Sequence, residues 1–299
     1  MLTTTDRGRR HGLRRRRPQV VAAFWFLVPA LALLSFLRLF PVFSVAVESF
    51  QLEGSWVGLD NYRFLFGDDG FRDALLVTLK YNAVVNPLQI GIAFLLALAL
   101  TSGARGRGIW STLNLLPVTI PVAASAMVWG ILLRPDNGIV NAIFVHLGIA
   151  PQGWFTSSEQ ALWSIVILAS WVGVGYWSLF LVAGLLDIPE SVTEAAAIDG
   201  AGYWRTLFQV KLPLMVRPLA FVLVADTVVN FLLFAPVQIL TRGGPDGSTN
   251  LVMFDVYRNA FVFNDLALAA AETVLLVAVV LMIVTVQFLL LNRQSGELE

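Results

Sequence analysis

Two carboxyl groups stand inside the most apolar parts of this sequence, at Asp226 and Glu272. A charge near the centre of a bilayer costs at least about 2.5–3.5 kcal/mol on insertion scales, so such groups face protein or water and mark solute or ion routes. Asn230 lies four residues after Asp226, which places an amide and a carboxylate on one helical face with Leu233. These residues can hydrogen-bond a polar solute, or bind and release a proton or cation.

A second polar stripe consists of Asn82, Asn86 and Gln89 in an earlier apolar stretch. Amides inside helix bundles often hydrogen-bond neighbouring helices, so packing is the favoured interpretation of this stripe and a solute pathway is the alternative. Glu272 also has an alternative to a pathway role, because an ion pair with Lys80 or Arg38 would satisfy it.

Glycines and aromatic residues alternate in the stretch that precedes the second half of the chain, at Trp171, Gly173, Gly175, Tyr176 and Trp177. Glycines let helices approach closely, and aromatic rings can stack on the apolar face of a sugar. Small residues in spans often only pack, and that interpretation stays open.

Motifs for catalysis are missing from the sequence. Its two lysines, Lys80 and Lys211, follow Leu79 and Val210 rather than a glycine-rich turn, so the chain has no P-loop of its own. It has no GxSxG or HExxH string, no cysteine and only 2 histidines. We therefore expect no enzymatic activity, no metal site and no cofactor in this chain.

Long membrane-spanning helices are needed to position these groups. Hydrophobic residues make up 57% of the chain and charged residues 13%, with a mean hydropathy of +0.75, so lipid must be its solvent. The predicted fold is an all-α polytopic membrane protein with six transmembrane helices, kinked at Pro117, Pro121 and Pro236. The spans are predicted at residues 20–40, 75–101, 110–133, 162–183, 219–240 and 266–291.

Charges outside the spans predict an orientation. Residues 1–17 hold seven arginines and one acid and are predicted to be a basic cytoplasmic tail, with residues 18–299 forming a single transmembrane domain. Arginine and lysine total thirteen on the side of this tail and five on the other, which places both termini in the cytoplasm. The tail adjoins an apolar stretch, which indicates anionic lipid rather than nucleic acid as its partner. The thirteen are the seven of the tail with Arg105, Arg107, Arg205, Lys211, Arg217 and Arg293; the five are Arg63, Arg72, Arg134, Arg242 and Arg258.

A water-compatible segment, residues 184–217, separates the fourth and fifth spans. Asp187 or Ser191 is the candidate N-cap of a helix, because each is followed three residues later by an acid. Gly200 is expected to end that helix, and residues 203–210 are expected to form a second short helix. The segment, called the elbow below, is predicted to be a helix-turn-helix outside the bilayer.

The string EAAAIDGAG at 194–202, followed by Val210, Leu212 and Pro213, resembles the EAA loop of permease subunits in binding-protein-dependent ABC importers. The similarity runs from about Val20 to the C-terminus. The resemblance implies a second homologous permease, an ABC ATPase dimer that binds ATP and Mg²⁺, an extracytoplasmic solute-binding protein, and a place in the cytoplasmic (inner) membrane of a bacterium or archaeon. Three further strings resemble the sugar-type branch, with its maltose-type and glycerol-3-phosphate-type permeases: GLDNY at 58–62, AGLLDIPE at 183–190 and LTRGGP at 240–245.

The resemblance also implies roles for residues of this chain. In that family the elbow docks on the ATPase, which implies coupling roles for Glu194, Ala195, Ala196, Asp199, Gly200, Leu212 and Pro213. Its maltose-type members contact sugar from the helices that flank the loop, which implies a substrate pathway of Gly173, Tyr176, Asp226, Asn230 and Leu233, with Asn82, Asn86, Gln89 and Glu272 as further candidates. Gly243, Gly244 and Pro245 form a turn first of all, and the resemblance adds contact with the binding protein.

Two other functions stay open at this point. A secondary transporter driven by protons or sodium would use Asp226 or Glu272 as its coupling carboxylate, but it would leave the elbow without a role. A nontransporting membrane scaffold would explain the helices and the elbow but not the polar faces. The resemblance favours import of a sugar, an oligosaccharide, a polyol or a glycerol-phosphate-like solute, without identifying which.

Overall fold

The computed structural model describes residues 16–102 and 107–296. Residues 1–15, which are most of the predicted basic tail, and Arg105 lie outside the described residues. Five helices are long and apolar enough to cross a membrane, and one sharply bent helix pair makes a sixth crossing if it is counted as one span. Five of the six predicted spans are therefore confirmed, and the third corresponds to the bent pair. They are Phe24–Glu48, Asp69–Thr101, Ala161–Leu186, Val216–Leu240 and Leu266–Leu291, with Gly108–Thr119 and Val122–Leu132 as the bent pair.

The first crossing is longer than predicted, because the helix continues past Phe40 to Glu48. Pro41 lies in the first turn of the continuing helix, where a missing N–H is tolerated. The elements in this part of the chain are α1 (Arg16–Leu34), a π-helical turn (Ser35–Leu39), α2 (Phe40–Glu48), the antiparallel pair β1 (Gln51–Leu52) and β2 (Ser55–Trp56), and α3 (Asp60–Gly67).

The third predicted span is not one continuous helix. It consists of α5 (Arg107–Thr119) and α6 (Val122–Leu132), which meet at an angle of 99°. The break lies at Pro121, whose ψ of 135° is extended. Proline lacks the N–H that would continue the helical ladder and disfavours helical conformation in the residue before it, so the helix is interrupted here. The expected kink at Pro121 is thus an interruption, whereas Pro117 stays inside α5.

The fifth span is also interrupted. Three residues, 232–234, separate α12 (Val216–Phe231) from α13 (Ala235–Leu240), and Pro236 lies in the first turn of α13. Leu233 lies in the break, so the prediction that it continues the helical face of α12 is wrong. The chain leaves the helix there because proline cannot extend the preceding helical ladder.

The centre of the bundle is formed by α4 (Asp69–Thr101) and α8 (Ala161–Leu186), which pack along each other. α12 packs against both of these helices and against α15 (Leu266–Gly296). α4 turns one face inward because its amides and small residues recur every three or four positions. That face includes Asn82, Asn86, Gln89, Ala93 and Ala97, all of which are buried.

Short helices connect the spans. α7 (Ile139–His146) and the residue after it expose Ile139, Ile143 and Leu147. A 3₁₀ turn (Trp154–Thr156) precedes α8, and α14 (Val252–Phe261) precedes α15. The elbow consists of α9 (Glu190–Ile198), α10 (Tyr203–Thr206), a π-helical turn (Leu207–Lys211) and α11 (Leu212–Leu214).

Candidate functional site

A cavity of roughly 320 Å³ lies between α4, α8 and α12, with contributions from α5 and α6. All five residues of the predicted substrate pathway border it: Gly173, Tyr176, Asp226, Asn230 and Leu233. Gln89 of the second polar stripe borders it as well. The remaining lining is mostly apolar and consists of Val118, Val122, Leu168, Ala169, Val172, Trp177, Val229 and Pro236.

Asp226 is fully buried and is held by two N–H donors. Oδ1 accepts a hydrogen bond from Nε1 of Trp177 at 2.6 Å and another from Nδ2 of Asn230 at 2.9 Å. No residue in the described part of the chain gives Oδ2 a hydrogen bond. The sequence suggested that the ring of Trp177 stacks on a sugar. Its indole N–H is instead the donor that fixes Asp226. Only the three-dimensional packing of α8 on α12 reveals this role.

Asn230 connects the cavity to α4. Its Nδ2 donates to Oδ1 of Asn86 at 2.9 Å, and its Oδ1 accepts from the hydroxyl of Tyr81 at 3.2 Å. Gln89 Oε1 lies 3.4 Å from the same Nδ2. Asn86 and Gln89 therefore join the network of the cavity, whereas Asn82 donates to the backbone carbonyl of Thr78 in its own helix.

Thr227 carries the network to the last span, a connection that the sequence did not suggest. Its Oγ1 accepts from Nδ2 of Asn86 at 3.1 Å and from Nε2 of Gln287 at 3.0 Å, and it donates to the carbonyl of Leu223. Four spans, α4, α8, α12 and α15, are thus linked through one set of polar side chains. A continuous network of this kind gives the cavity a defined polar side.

Two of the three glycines of α8, Gly173 and Gly175, are sites of close approach beside the cavity. A Cβ on Gly173 would lie 2.5 Å from Oε1 of Gln89, and a Cβ on Gly175 would lie 2.3 Å from the backbone oxygen of Asn114. Only glycine fits at Gly175 without moving a backbone. Tyr176 is partly exposed and packs edge-on against Trp177, with ring centroids 4.8 Å apart.

Glu272 lies in a different cluster. Its Oε1 accepts from Nδ2 of Asn259 at 2.7 Å, so the alternative of an ion pair with Lys80 or Arg38 is not the arrangement found, and Glu272 does not line the cavity. An asparagine on the preceding helix supplies a neutral donor where the sequence suggested a cation. Nearby on α14, Asp255 pairs with Arg258, yet burial raises the pKa of the Asp255 carboxyl.

The elbow begins differently from the prediction and ends as predicted. α9 starts at Glu190 after Pro189, and no side chain caps it; Asp187 is the C-cap of the preceding helix instead. At the other end Gly200 has φ +75°, and the N–H groups of residues 200 and 201 bond the carbonyls of residues 197 and 196. This pair of bonds is a Schellman motif, which favours glycine.

The predicted coupling residues fall into two groups. Glu194, Ala195, Asp199 and Gly200 are exposed on α9 and its C-terminal turn, with Ala196 half-buried beside them. Leu212 and Pro213 are half-buried in the second helix, which runs from Tyr203 to Leu214 and is therefore longer than the predicted 203–210. The π-helical turn carries this helix past the predicted end.

The turn predicted to meet a binding protein is a folded loop. Gly243 is buried with φ +82°, and Gly244 and Pro245 are half-buried and joined by a cis peptide bond. Oγ1 of Thr249 donates to the carbonyl of Gly244 at 2.8 Å. The exposed residues of this loop are their neighbours Arg242, Asp246 and Gly247. Among the described residues, no group of three or more acids or histidines could hold a metal ion.

This chain matches both a family model and individual known proteins. A family model described as the binding-protein-dependent transport system inner membrane component matches residues 89–295. The sn-glycerol-3-phosphate transport system permease protein UgpA of Escherichia coli O6:K15:H31 (strain 536 / UPEC) is 34% identical over 246 residues, covering 81% of this chain and 82% of the relative. UgpA of Agrobacterium fabrum (strain C58 / ATCC 33970) is 32% identical over 250 residues, covering 83% and 84%.

A solved structure shares the fold. A chain in the crystal structure of a bacterial ABC transporter involved in the import of the acidic polysaccharide alginate aligns with a TM-score of 0.81. The two chains are 21% identical over 94% of this chain and 98% of the other. A chain of the alginate transporter in complex with an alginate pentasaccharide-bound periplasmic protein also gives a TM-score of 0.81, at 20% identity. The helical arrangement described above is therefore that of an ABC importer permease.

Proposed function

Because the chain belongs to the family of binding-protein-dependent transport system inner membrane components, we propose that it is one permease subunit of an ABC importer for a sugar, an oligosaccharide, a polyol or a glycerol-phosphate solute. The observation that carries this proposal is the connection between the elbow and the cavity. α8 and α12 each supply residues to the cavity, and the exposed elbow joins these two helices directly.

The elbow has the properties of a docking segment for an ATPase. Its exposed side includes Glu194, Asp199 and Gly200, and Ile198 has 86% of its surface exposed. A large apolar side chain so exposed at the end of a short helix suits burial against a partner. Movement of the elbow by the ATPase would rotate α8 and α12 and open the cavity alternately to the two sides.

The other partners follow from the same proposal. A second homologous permease completes the translocation path, two ATPase copies bind ATP and Mg²⁺, and a solute-binding protein delivers the solute. Arg242, Asp246 and Gly247 are the exposed contact candidates in the loop that Gly243, Gly244 and Pro245 shape. ATP hydrolysis belongs to the ATPase, and this chain is a transport permease without enzymatic activity of its own.

We also propose the cytoplasmic (inner) membrane as the location, with both termini and the elbow in the cytoplasm. With the bent pair counted as one span, six crossings return the chain to its starting side, and the excess of arginine and lysine in the tail and elbow favours the cytoplasm for that side. An ion-coupled carrier or a scaffold is not favoured, because neither accounts for an elbow that joins two cavity-lining helices.

The proposal is tested by purifying the chain with its partner permease and its ATPase and reconstituting the complex in proteoliposomes. Solute uptake should require both ATP on the elbow side and the binding protein on the opposite side. Copurification without any ATP-dependent uptake, for a panel that includes maltose, glycerol and sn-glycerol 3-phosphate, would contradict it. A complex with an inactive ATPase is the matched control.

A further inference from the structure

We infer that the cavity between α4, α8 and α12 admits an uncharged, polyhydroxylated solute and rejects anionic ones. The inference rests on the proposed function and narrows it, since it separates neutral sugars and polyols from glycerol-phosphate-like solutes. Three properties of the lining support it: its charge, its free hydrogen-bonding groups, and its apolar walls.

The charge of the lining is unfavourable to an anion. Among the described residues that border the cavity there is no lysine, arginine or histidine, while Asp226 supplies a carboxyl group. A phosphate or carboxylate moved from water into an apolar cavity needs a cation or several free N–H donors. Here it would meet the Asp226 carboxyl, which supplies neither a cation nor an N–H donor.

The hydrogen-bonding groups of the lining favour a solute that donates. Nε1 of Trp177 and Nδ2 of Asn230 already donate to Oδ1 of Asp226, so these N–H groups are engaged inside the protein. Oδ2 of Asp226 is buried and unpartnered. Asp226 borders the cavity, so a hydroxyl of a bound solute that displaces the packing over Oδ2 would supply the hydrogen bond that this buried atom lacks.

The walls suit the C–H faces of a sugar or polyol. Val118, Val122, Leu168, Val172 and Leu233 surround the polar side, and the rings of Tyr176 and Trp177 stand at one edge. The volume of roughly 320 Å³ is at the small end of the ~300–1,000 Å³ range of ligand pockets. An uncharged, monosaccharide-sized unit matches the charge, the hydrogen-bonding groups and the apolar walls of the cavity when one of its hydroxyls bonds Asp226 and its ring face lies on these walls.

Charge selectivity can be measured without knowing the solute. The chain has 0 cysteines, so Val229→Cys, at a half-exposed position on the cavity, gives this chain a single thiol. The reconstituted complex is treated with three methanethiosulfonates that carry a neutral hydroxyethyl, an anionic sulfonatoethyl or a cationic trimethylammonioethyl group. Rates on this chain are read by mass spectrometry and normalised to Ala150→Cys, an exposed position in the loop after α7.

We expect the anionic reagent to react about tenfold more slowly than the neutral one at Val229→Cys, and the cationic reagent no more slowly than the neutral one. Adding Asp226→Asn should bring the three normalised rates within about twofold of one another. Equal rates for the anionic and neutral reagents in the chain with Asp226 intact would overturn the inference. So would a failure of the neutral reagent to react, because the cavity must admit a water-soluble solute.

The comparison at Val229→Cys stands even if Asp226→Asn does not assemble. The assay needs neither ATP hydrolysis nor uptake, so its failure is distinct from failure of the importer assignment. A complex that shows charge selectivity but no ATP-driven uptake would leave this inference about the cavity intact and contradict the proposed function.

Discussion

Trp177 donates its indole N–H to Oδ1 of Asp226 at 2.6 Å, and this bond joins the two helices that leave the elbow. Closer to the elbow, Gly184 of α8 approaches Pro218 of α12, since a Cβ on Gly184 would lie 2.8 Å from the proline ring. The two helices are therefore in contact both at the elbow and at the cavity. A displacement of the elbow would reach the cavity through these contacts.

Gly200→Val should uncouple transport from ATP hydrolysis. Gly200 has φ +75°, and a Cβ there would meet no atom within 4 Å, so the cost is one of backbone conformation and not of space. A residue with a Cβ is destabilised by roughly 1–2 kcal/mol in this region, and β-branched residues suffer most. We expect ATP-driven uptake to fall about tenfold, measured with ATPase activity in proteoliposomes.

Gly200→Asn is the matched control for this prediction, because asparagine tolerates the left-handed region. It should retain most of the uptake. Equal loss in both variants would point to the missing flexibility of glycine rather than to the Schellman turn, and full uptake by Gly200→Val would remove the turn from the coupling mechanism.

The sequence predicted the turn at Gly200 because a glycine that ends a helix is a local signal. It did not predict the start of α9, because Asp187 is the C-cap of the preceding helix and the new helix begins directly after Pro189. Capping preferences describe a helix that starts after a loop. Here α9 follows α8 almost directly, so the end of α8 determines where α9 starts. Local rules succeed where the chain must adopt a positive φ and fail where a neighbouring element overrides them.

Gly175→Ala should destabilise the packing of α5 on α8. The added Cβ would lie 2.3 Å from the backbone oxygen of Asn114, and a backbone atom cannot move aside as a side-chain end can. Overpacking of this kind costs about 1–3 kcal/mol. We expect a lower midpoint of thermal unfolding for the purified complex.

Gly91→Ala on α4 is the comparison variant, since a Cβ there meets nothing within 4 Å and alanine is the better helix former. Its thermal midpoint should be unchanged or higher. A Gly175→Ala complex as stable as Gly91→Ala would show that the close approach of the two helices is not required.

Tyr176→Ala should weaken uptake at subsaturating solute while leaving assembly intact. Tyr176 is 42% exposed and borders the cavity, and it is a cleaner probe than Asn230, whose side chain also bonds Asn86 and Tyr81. Loss of a stacked ring is worth about 0.5–1.5 kcal/mol, which corresponds to a roughly two- to tenfold weaker apparent affinity. Tyr176→Phe should keep most of the apparent affinity. Wild-type uptake by Tyr176→Ala at low solute would place the solute elsewhere.

Asn259→Leu should destabilise the complex by about 1–3 kcal/mol, because it leaves Glu272 buried without its 2.7 Å donor. The test is a double-mutant cycle with Glu272→Leu, followed by thermal unfolding. The double variant should be less destabilised than the sum of the single variants. Additive effects would mean that the two side chains do not stabilise each other.

The helices and the polar faces of this chain were predictable, because hydropathy and three-to-four-residue spacing are properties of the sequence. The residues of the predicted pathway share a cavity, but their connections were not predictable. Trp177 and Asp226 are 49 positions apart, and Gln287 and Thr227 are 60 apart. Pairings over such distances depend on how α8, α12 and α15 pack, and each polar group had several candidate partners. The interruption at residues 232–234 likewise arises from Pro236 in the first turn of α13, while the sequence suggested only a kink.

The assignment as an ABC importer permease is tested most directly by the energy source of uptake. The reconstituted complex, loaded with ATP and supplied with binding protein, is assayed for solute uptake before and after an ionophore collapses the proton and sodium gradients. Uptake should continue at its initial rate while ATP is maintained and stop when ATP is removed. Collapse of uptake with the gradients, together with no requirement for ATP, would contradict it and favour a carrier in which Asp226 or Glu272 binds the coupling ion.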